Sequence, residues 1–425
     1  MSKLTRKSRH PARADGRTHL TIRAARAAAI ALTLSLTACG DFLAVDLPTR
    51  VPAEVLNNPS LAGTLVLGAQ ADFECAFSEY IVSTGAWTDE FINATGWREA
   101  TVWTQRLGAE YDAGTGNCPT TTFRGGFTVY LPLQLARGQA ENAYSLIEGF
   151  NAADVPNREE LLAKSAAYAG YATTLLGEAY CEMALDGGPV ITPAEVLLVA
   201  ETRFTTALGH AQAAGSTELA NLARVGRARV RNYLGQKAQA AQDAELVSEG
   251  FVYNATYATS IPRRMNTINI NNNLNQALSV DPRFRGLEVN GVPDPRVPVQ
   301  NAGRLGNDAV TPSWVQMRFP NLDSPVPIAS WNEAQLIIAE AAGGQVAVAA
   351  INRLRDHWGL PNFASNDGAE IAAQIIEERR RELFLQGHRL SDHLRFGLPF
   401  NSGANHKGVA YAEEFTCLPL PPAER

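Results

Sequence analysis

Residues 159–180 read EELLAKSAAYAGYATTLLGEAY, and this stretch decides the fold. Leu161, Leu162, Tyr168, Ala169, Ala172, Leu176 and Tyr180 recur at helical spacing, which sets apolar side chains on one face of a long helix. Ala200, Phe204 and Ala207 resume the rhythm after an insertion at residues 186–199. Further out, a second helix pair is predicted at 219–233 and 238–247, broken at Gly235. A third covers 331–342 and 345–358, broken at Gly343 and Gly344, and a fourth covers 369–385 and 388–396, broken at Gly387. Upstream, Leu61, Leu65, Leu67, Phe73 and Phe77 predict a helix over 60–80 with Ser60 as its N-cap, and 130–150 reads as another. Between them, 85–128 loses periodicity and reads as a structured loop region rich in Gly and aromatic residues.

Leu176-Gly177 followed by Tyr180, with Ala200, Phe204 and Ala207, resembles the paired helices of a tetratricopeptide repeat. Repeats of that kind bury their apolar stripe only by stacking on neighbours, so the expected fold class is all-α, a tetratricopeptide-repeat-like scaffold. Helix pairs fall at about 159–250 and 328–397. Between them 251–327, rich in Pro, Asn and Gly, is expected to form a loop-rich excursion packed over the helices on the ligand side. Its residues 266–275 hold six Asn in ten and read as a polar surface loop, or else as amides presented to a polar ligand.

The chain has 425 residues, 45% apolar and 19% charged, an ordinary globular composition. Eight Lys and Arg precede residue 27 against one acid, Asp15, and an apolar run of about a dozen residues follows at 27–38, too short to span a bilayer needing about 20. Residues 1–38 are therefore expected to be a signal peptide that is removed. At its end Leu36-Thr37-Ala38-Cys39-Gly40 resembles the bacterial lipobox, which makes Cys39 the expected lipidation site and 39–59 a lipidated tether. Asp41 stands two places after Cys39, which leaves sorting to the outer membrane open. Beyond residue 38 there are 29 basic against 42 acidic residues, about −13, and only Lys164, Lys237 and Lys407 among lysines. That balance excludes a nucleic-acid binder, which draws on clustered Lys and Arg.

With Cys39 assigned to lipid, Cys75, Cys118, Cys181 and Cys417 form an even set in an exported chain, enough for two disulfides in three connectivities, with a lean to Cys75 and Cys118. No metal site is expected: CxxC spacing is absent, and His388 and His393 stand five apart without HExxH, so hydrogen bonding in the core is the better use for them. Glu377 to Arg381 is expected to make ion pairs along one helix rather than an acid/base pair. Gly114-Thr115-Gly116 reads as a turn, lacking the context of a phosphate loop. No cofactor is expected.

The segment Ile375-Ile376-Glu377-Glu378-Arg379-Arg380-Arg381-Glu382-Leu383-Phe384-Leu385-Gln386-Gly387-His388-Arg389, with Asp392, Arg395 and Gly397, resembles the hallmark of the SusD/RagB family of outer-membrane nutrient-binding lipoproteins. Gln386 replaces the usual Glu before Gly-His-Arg. Leu418-Pro419-Leu420-Pro421 resembles the family's closing stretch, Cys39-Gly40-Asp41-Phe42-Leu43 its opening, and the third helix pair also fits. The resemblance implies a single SusD-like domain over 60–425 and a non-enzymatic surface lipoprotein. Such a protein captures an oligosaccharide or another nutrient oligomer and hands it to a SusC-like TonB-dependent transporter.

Glycan capture needs flat apolar faces with polar donors at their rim. Trp87, Trp97, Trp103, Tyr111 and Trp314 lie outside the helical stripes, with Asn93, Arg98 and Gln105 near the first three in sequence. Trp97 and Trp103 lead as platform residues, joined by Arg98, Tyr111 and Trp314, although core packing is the commoner use of any single Trp. Trp331 and Trp358, on repeat helices, are expected in the core. Two other readings stand beside capture. One is a repeat scaffold that assembles an envelope protein complex without a small ligand. The other is a glycoside hydrolase, disfavoured because no carboxylate pair stands out by spacing.

Overall fold

A computed structural model of the chain describes residues 56–107, 118 and 127–424. The expected signal peptide, Cys39, most of the tether, Tyr111 and the turn at 114–116 lie outside the described residues.

Helix α1, Ala62–Trp87, follows a 3-10 turn at Pro59–Leu61 in which the Asn58 side chain, not Ser60, caps by accepting from Ser60 N. It runs past the predicted end at residue 80 because Ile81, Val82, Ala86 and Trp87 are all buried. Strand β1, Phe91–Asn93, and helix α2, Arg98–Thr104, then supply regular structure where the periodicity fades. After them come α3, Tyr130–Gly149, and α4, Arg158–Ala179. The expected apolar stripe of α4 is in fact a helix buried all round from Ser165 to Ala179, as suits the central member of a stack. It packs against α1, α3 and the helices that follow.

A short hairpin of β2, Met183–Ala184, and β3, Val190–Ile191, leads into α5, Pro193–Ala213. Thr192 and Glu195 form a reciprocal capping box and Pro193 holds the first helical position, so the helix starts earlier than the insertion predicted through 199 allows. Helices α6, Thr217–Tyr233, and α7, Lys237–Glu245, complete the first group, with Gly235 in the left-handed conformation between them (φ 78°).

The excursion carries β4, Val252–Ala255; β5, Leu278–Val280; β6, Glu288–Val289; β7, Val292–Pro293; β8, Val299–Leu305; and β9, Pro312–Gln316. Strand β10, Val326–Ser330, returns to the helices. The strands named here pair antiparallel in twos, β1 with β5, β2 with β3, β4 with β10, β6 with β7 and β8 with β9, and an isolated parallel bridge joins Tyr180 to Leu418. The second helical group is α8, Trp331–Ala342; α9, Gly344–His357; α10, Gly368–Glu382; and α11, Arg389–Phe396. Ser330 caps α8 and Asp367 caps α10 through side-chain bonds to backbone N–H groups. The fold is mainly helical, with successive helices from α3 to α9 packed on one another. No described helix is long and apolar enough to cross a membrane. Trp331 is buried, whereas Trp358 is half-buried with its indole N–H donated to Glu382.

Close packing of the first group depends on glycine. The buried Phe204 ring of α5 lies against Gly170 of α4 and Gly226 of α6, where an added Cβ would meet ring carbons at 2.9 and 2.3 Å. Tyr171 packs edge-on to the same ring, 4.8 Å between centroids, so the ring has nowhere to retreat. Gly226→Ala is expected to destabilise the protein by about 1–3 kcal/mol through overpacking, despite the better helix propensity of Ala. Gly209→Ala on the exposed side of α5, with nothing within 4 Å, should be neutral or stabilising. Urea unfolding of the two variants checks this, and equal behaviour would contradict it.

Two sequence expectations change here. The Asn-rich run is not a surface loop: Asn266, Asn269, Asn271 and Asn272 are buried in two short helical turns. Asn266 Oδ1 accepts from Ile268 N and Asn269 N, and Asn272 donates to Leu278 O and Trp314 O while accepting from Gln316 N. The amides thus replace missing ladder bonds behind β5 and β9. In the acidic and basic run of α10, Glu377 does pair along the helix with Arg380 and Arg381. The neighbouring side chains instead reach distant elements and are buried. Glu378 joins Arg296 and Arg355, Arg379 joins Asp392 and Glu340, and Arg395 also joins Glu340 and Asp392. Arg229 of α6 binds Glu333 of α8 beside His388, and Arg389 and His393 share Asp89. The quoted C-terminal motif therefore locks α10 and α11 onto the rest of the stack.

Candidate functional site

Strand β1 ends at Asn93 and the chain turns through Ala94 and Thr95 to Trp97, the residue that starts α2. Asn93 Oδ1 accepts from Thr95 N, and Thr95 Oγ1 accepts from Trp97 N, which fixes the turn. Trp97 is half-buried and Arg98 beside it is exposed. Trp314 is half-buried on β9, its backbone held by Ser279 Oγ and Asn272 Nδ2, and the Arg285 guanidinium stands 4.8 Å from its ring centroid. Arg285 donates twice to Val280 O, and burial lowers its pKa, so the charge over the ring is only partly hydrated.

The segments carrying the two tryptophans are tied to one another. Asp308 N donates to Ala94 O, Thr95 Oγ1 donates to Asn307 Oδ1, and Gly306 sits so close to Ala94 that a Cβ would approach at 2.7 Å. Lys407 closes this corner from the C-terminal segment, with Nζ donating to Asn93 Oδ1, Thr95 O and Asp308 Oδ2 at 2.9 to 3.0 Å. Burial alone would push the Asp308 carboxyl up. Bonds from Thr311 N, Lys407 and Val310 N outweigh it and hold the acid well below the usual range, so the carboxylate is charged. Because that carboxylate only accepts, Thr311 Oγ1 gives its proton to Asp308 and accepts from His406 Nε2, 2.8 Å away. Burial and the adjacent Lys407 lower the His406 pKa, which keeps the ring neutral. Val310 and Val409 rim the corner as exposed aliphatics. The result is a preorganised edge that carries two half-buried tryptophans, Arg98 and Arg285, and a rim of hydroxyl and amide groups.

Among the candidate residues, Trp97, Arg98 and Trp314 lie on segments of this edge, and Tyr111 lies outside the described residues. Trp103 is corrected. It is 2% exposed on the inner side of α2, packed edge-on to buried Trp87 at 5.6 Å, with its indole N–H donated to Phe127 O, so its face is unavailable to a ligand. Cys75 and Cys118 form a disulfide, and Cys181 pairs with Cys417. Gln105 is buried under the C-terminal segment, its backbone O accepting from Ala412 N. No cluster of metal-ligating side chains occurs among the described residues. Asp308, Thr311, His406, Lys407 and Arg285 escaped the sequence reading because they lie far from Trp97 in the chain. An isolated lysine in a lysine-poor chain was the one signal at Lys407.

Residues 333–416, which contain the α10 and α11 motif, match the model of the SusD family. Over this segment the chain is similar to the SusD family. Solved SusD structures share the fold across nearly the whole chain. A SusD-like carbohydrate binding protein from Bacteroides vulgatus superposes with a TM-score of 0.63 at 15% identity, covering 86% of this chain and 96% of that one. A SusD superfamily protein from Parabacteroides distasonis gives 0.61 at 11% identity, covering 88% and 98%. Surface glycan-binding protein A from Bacteroides thetaiotaomicron, solved in complex with laminarihexaose, gives 0.60 at 11%, covering 86% and 97%. No curated protein matches the sequence.

Proposed function

We propose that this chain is a SusD-family, non-enzymatic surface lipoprotein that captures a glycan and delivers it to a SusC-like TonB-dependent transporter in the outer membrane. The observation that carries the reading is the laced edge on which half-buried Trp97 and Trp314 stand beside Arg98 and Arg285. Sugars expose C–H faces that stack on such rings and hydroxyls that meet guanidinium and amide donors. The edge is held by its own hydrogen bonds before any ligand arrives, which limits the ordering cost of binding. Likeness to a glycan-binding protein solved with a glucan oligomer points the same way. The lipobox-like sequence makes Cys39 the anchor of this reading.

A glycan screen by titration calorimetry tests the capture step. Trp314→Ala and Trp97→Ala are each expected to weaken binding by about tenfold, the equivalent of one lost ring contact of roughly 1.4 kcal/mol, with folding checked by thermal melting. Pull-down of the lipidated protein from native outer membranes tests delivery, and a stoichiometric TonB-dependent barrel is the expected companion. Recovery of envelope enzymes without a barrel, together with no glycan binding, would favour the scaffold reading instead. Cys39→Ser should move the protein from the membrane to the soluble fraction.

A further inference from the structure

A cavity of about 470 Å³ opens where α4, α5, α6 and α11 meet, and none of the residues lining it belongs to the tryptophan edge. Its walls are apolar: Pro193, Leu197, Leu234 and Leu394, closed on one side by the Cys181 and Cys417 disulfide. The volume lies in the range of small-molecule sites. One acid, Glu178, lines it near the C-terminal end of α4.

Glu178 is 4% exposed and neither of its carboxyl oxygens has a hydrogen-bond partner. The other acids of this neighbourhood are all paired: Glu333 with Arg229, Asp392 with Arg379 and Arg395, and Glu340 with Lys237, Arg379 and Arg395. Both terminal nitrogens of Arg395 are thus taken, and its guanidinium is stacked 3.8 Å from the Tyr233 ring centroid. A buried carboxyl without donors is costly, and the negative end of the α4 dipole makes this position worse. Arg395 Nε also lacks a partner, but neither Glu178 oxygen receives its proton, so the carboxyl stands without a donor.

We propose that this cavity is a second ligand site, for a compact apolar molecule with a primary ammonium group whose N–H donors bind the two oxygens of Glu178. An ammonium carries three donors on one atom and serves both oxygens, whereas a hydroxyl carries one. A carboxylate ligand would face Glu178 as a like charge, with only Nε of the guanidinium beside it still without a partner. The net negative chain also attracts cations. Burial pushes the Glu178 pKa up to about 7, against Arg229 and Arg395, which lower it, and Glu333 and Asp392, which raise it. Tyr80 and Tyr233 also face the carboxyl, and both stay neutral. An ammonium ligand stabilises the ionised acid, so its affinity rises as pH rises from 6 to 8. This site stands apart from glycan capture and does not depend on it.

The test uses the full chain in mild detergent with benzylamine, benzyl alcohol and benzoate as probes, read by saturation-transfer NMR and calorimetry. Benzylamine is expected to bind about tenfold tighter than benzyl alcohol, benzoate weakest, and Glu178→Gln should erase the preference for the amine. Ala194→Trp, at an exposed position of the cavity lining, should block amine and alcohol alike without touching the buried acid. Equal affinity for amine and alcohol in the unaltered protein, amine binding that survives both substitutions, or no binding of any probe would each overturn the assignment.

Discussion

Glu378→Ala is expected to lower the free energy of unfolding by about 3–5 kcal/mol, the cost of leaving buried charges uncompensated. Glu378 is fully buried on α10 and holds two guanidinium groups at once. Its Oε1 accepts from Arg355 Nε and Nη2 at 2.8 and 2.6 Å and from Gln374, and its Oε2 pairs with Arg296. The Arg296 side chain is itself fully buried and has Asp294 as its second partner, with Glu382 at 3.8 Å. Removal of the shared carboxylate leaves Arg355 without an acid and Arg296 with an incomplete shell. The adjacent Glu377 makes bonds of similar length to Arg380 and Arg381 but is partly solvated. Glu377→Ala should therefore cost about 1 kcal/mol or less. Urea unfolding of the two variants under one set of conditions decides the matter, and equal losses would refute the role given to Glu378.

Stability should fall as pH rises from about 5 to 9, and Glu90→Gln should remove much of that fall. Glu90 is buried, with Oε1 accepting from Leu385 N and Oε2 without a partner. Burial, with Asp89 alongside, pushes its pKa up to about 8 from an ordinary value of 4.5. Between those two values the unfolded chain has released the proton and the folded chain has kept it. The stabilisation is thus complete below pH 4.5 and lost as pH approaches 8, a change on the order of 5 kcal/mol. Glu178 acts in the same direction with a ceiling nearer pH 7. On the acid side the sign reverses. Glu340 is held at about 2 because Arg379 and Arg395 outweigh its burial, and its contribution disappears as pH falls from 4.5 toward 2. Glutamine at position 90 still accepts from Leu385 N and never ionises. Its Tm should exceed that of the unaltered protein at pH 9, with a much smaller difference at pH 5. Parallel Tm curves across this range would show that Glu90 ionises at no cost.

Helices were legible where apolar residues recur at steps of three and four. The breaks at Gly235 and Gly343 fall between helices as expected, because both glycines take a positive φ that a continuing helix cannot hold. Burial of polar side chains was not legible. Asn272 and Glu178 carry the composition of surface residues, and only the positions of partners far along the chain decide that one replaces ladder bonds and the other faces a cavity. Spacing rules reach three or four residues, so they found Glu377 with Arg381 and missed Arg229 with Glu333. Trp97 and Trp103 looked equivalent in sequence, yet the first is half-buried at the start of α2 and the second is buried within it against Trp87. The corner at Lys407 joins segments near 95, 308 and 407, a meeting that no local pattern encodes.

The link between Cys181 and Cys417 encloses a covalent ring with a sequence separation of 236. One peptide-bond cut anywhere inside that ring opens a loop without releasing a fragment. A protease nicking an exposed turn such as that around Gly291 or Gly403 would leave both pieces attached, migrating as one molecule until a thiol reductant separates them. For a chain exposed to its surroundings, backbone damage over more than half of its length is thereby kept from becoming loss of parts.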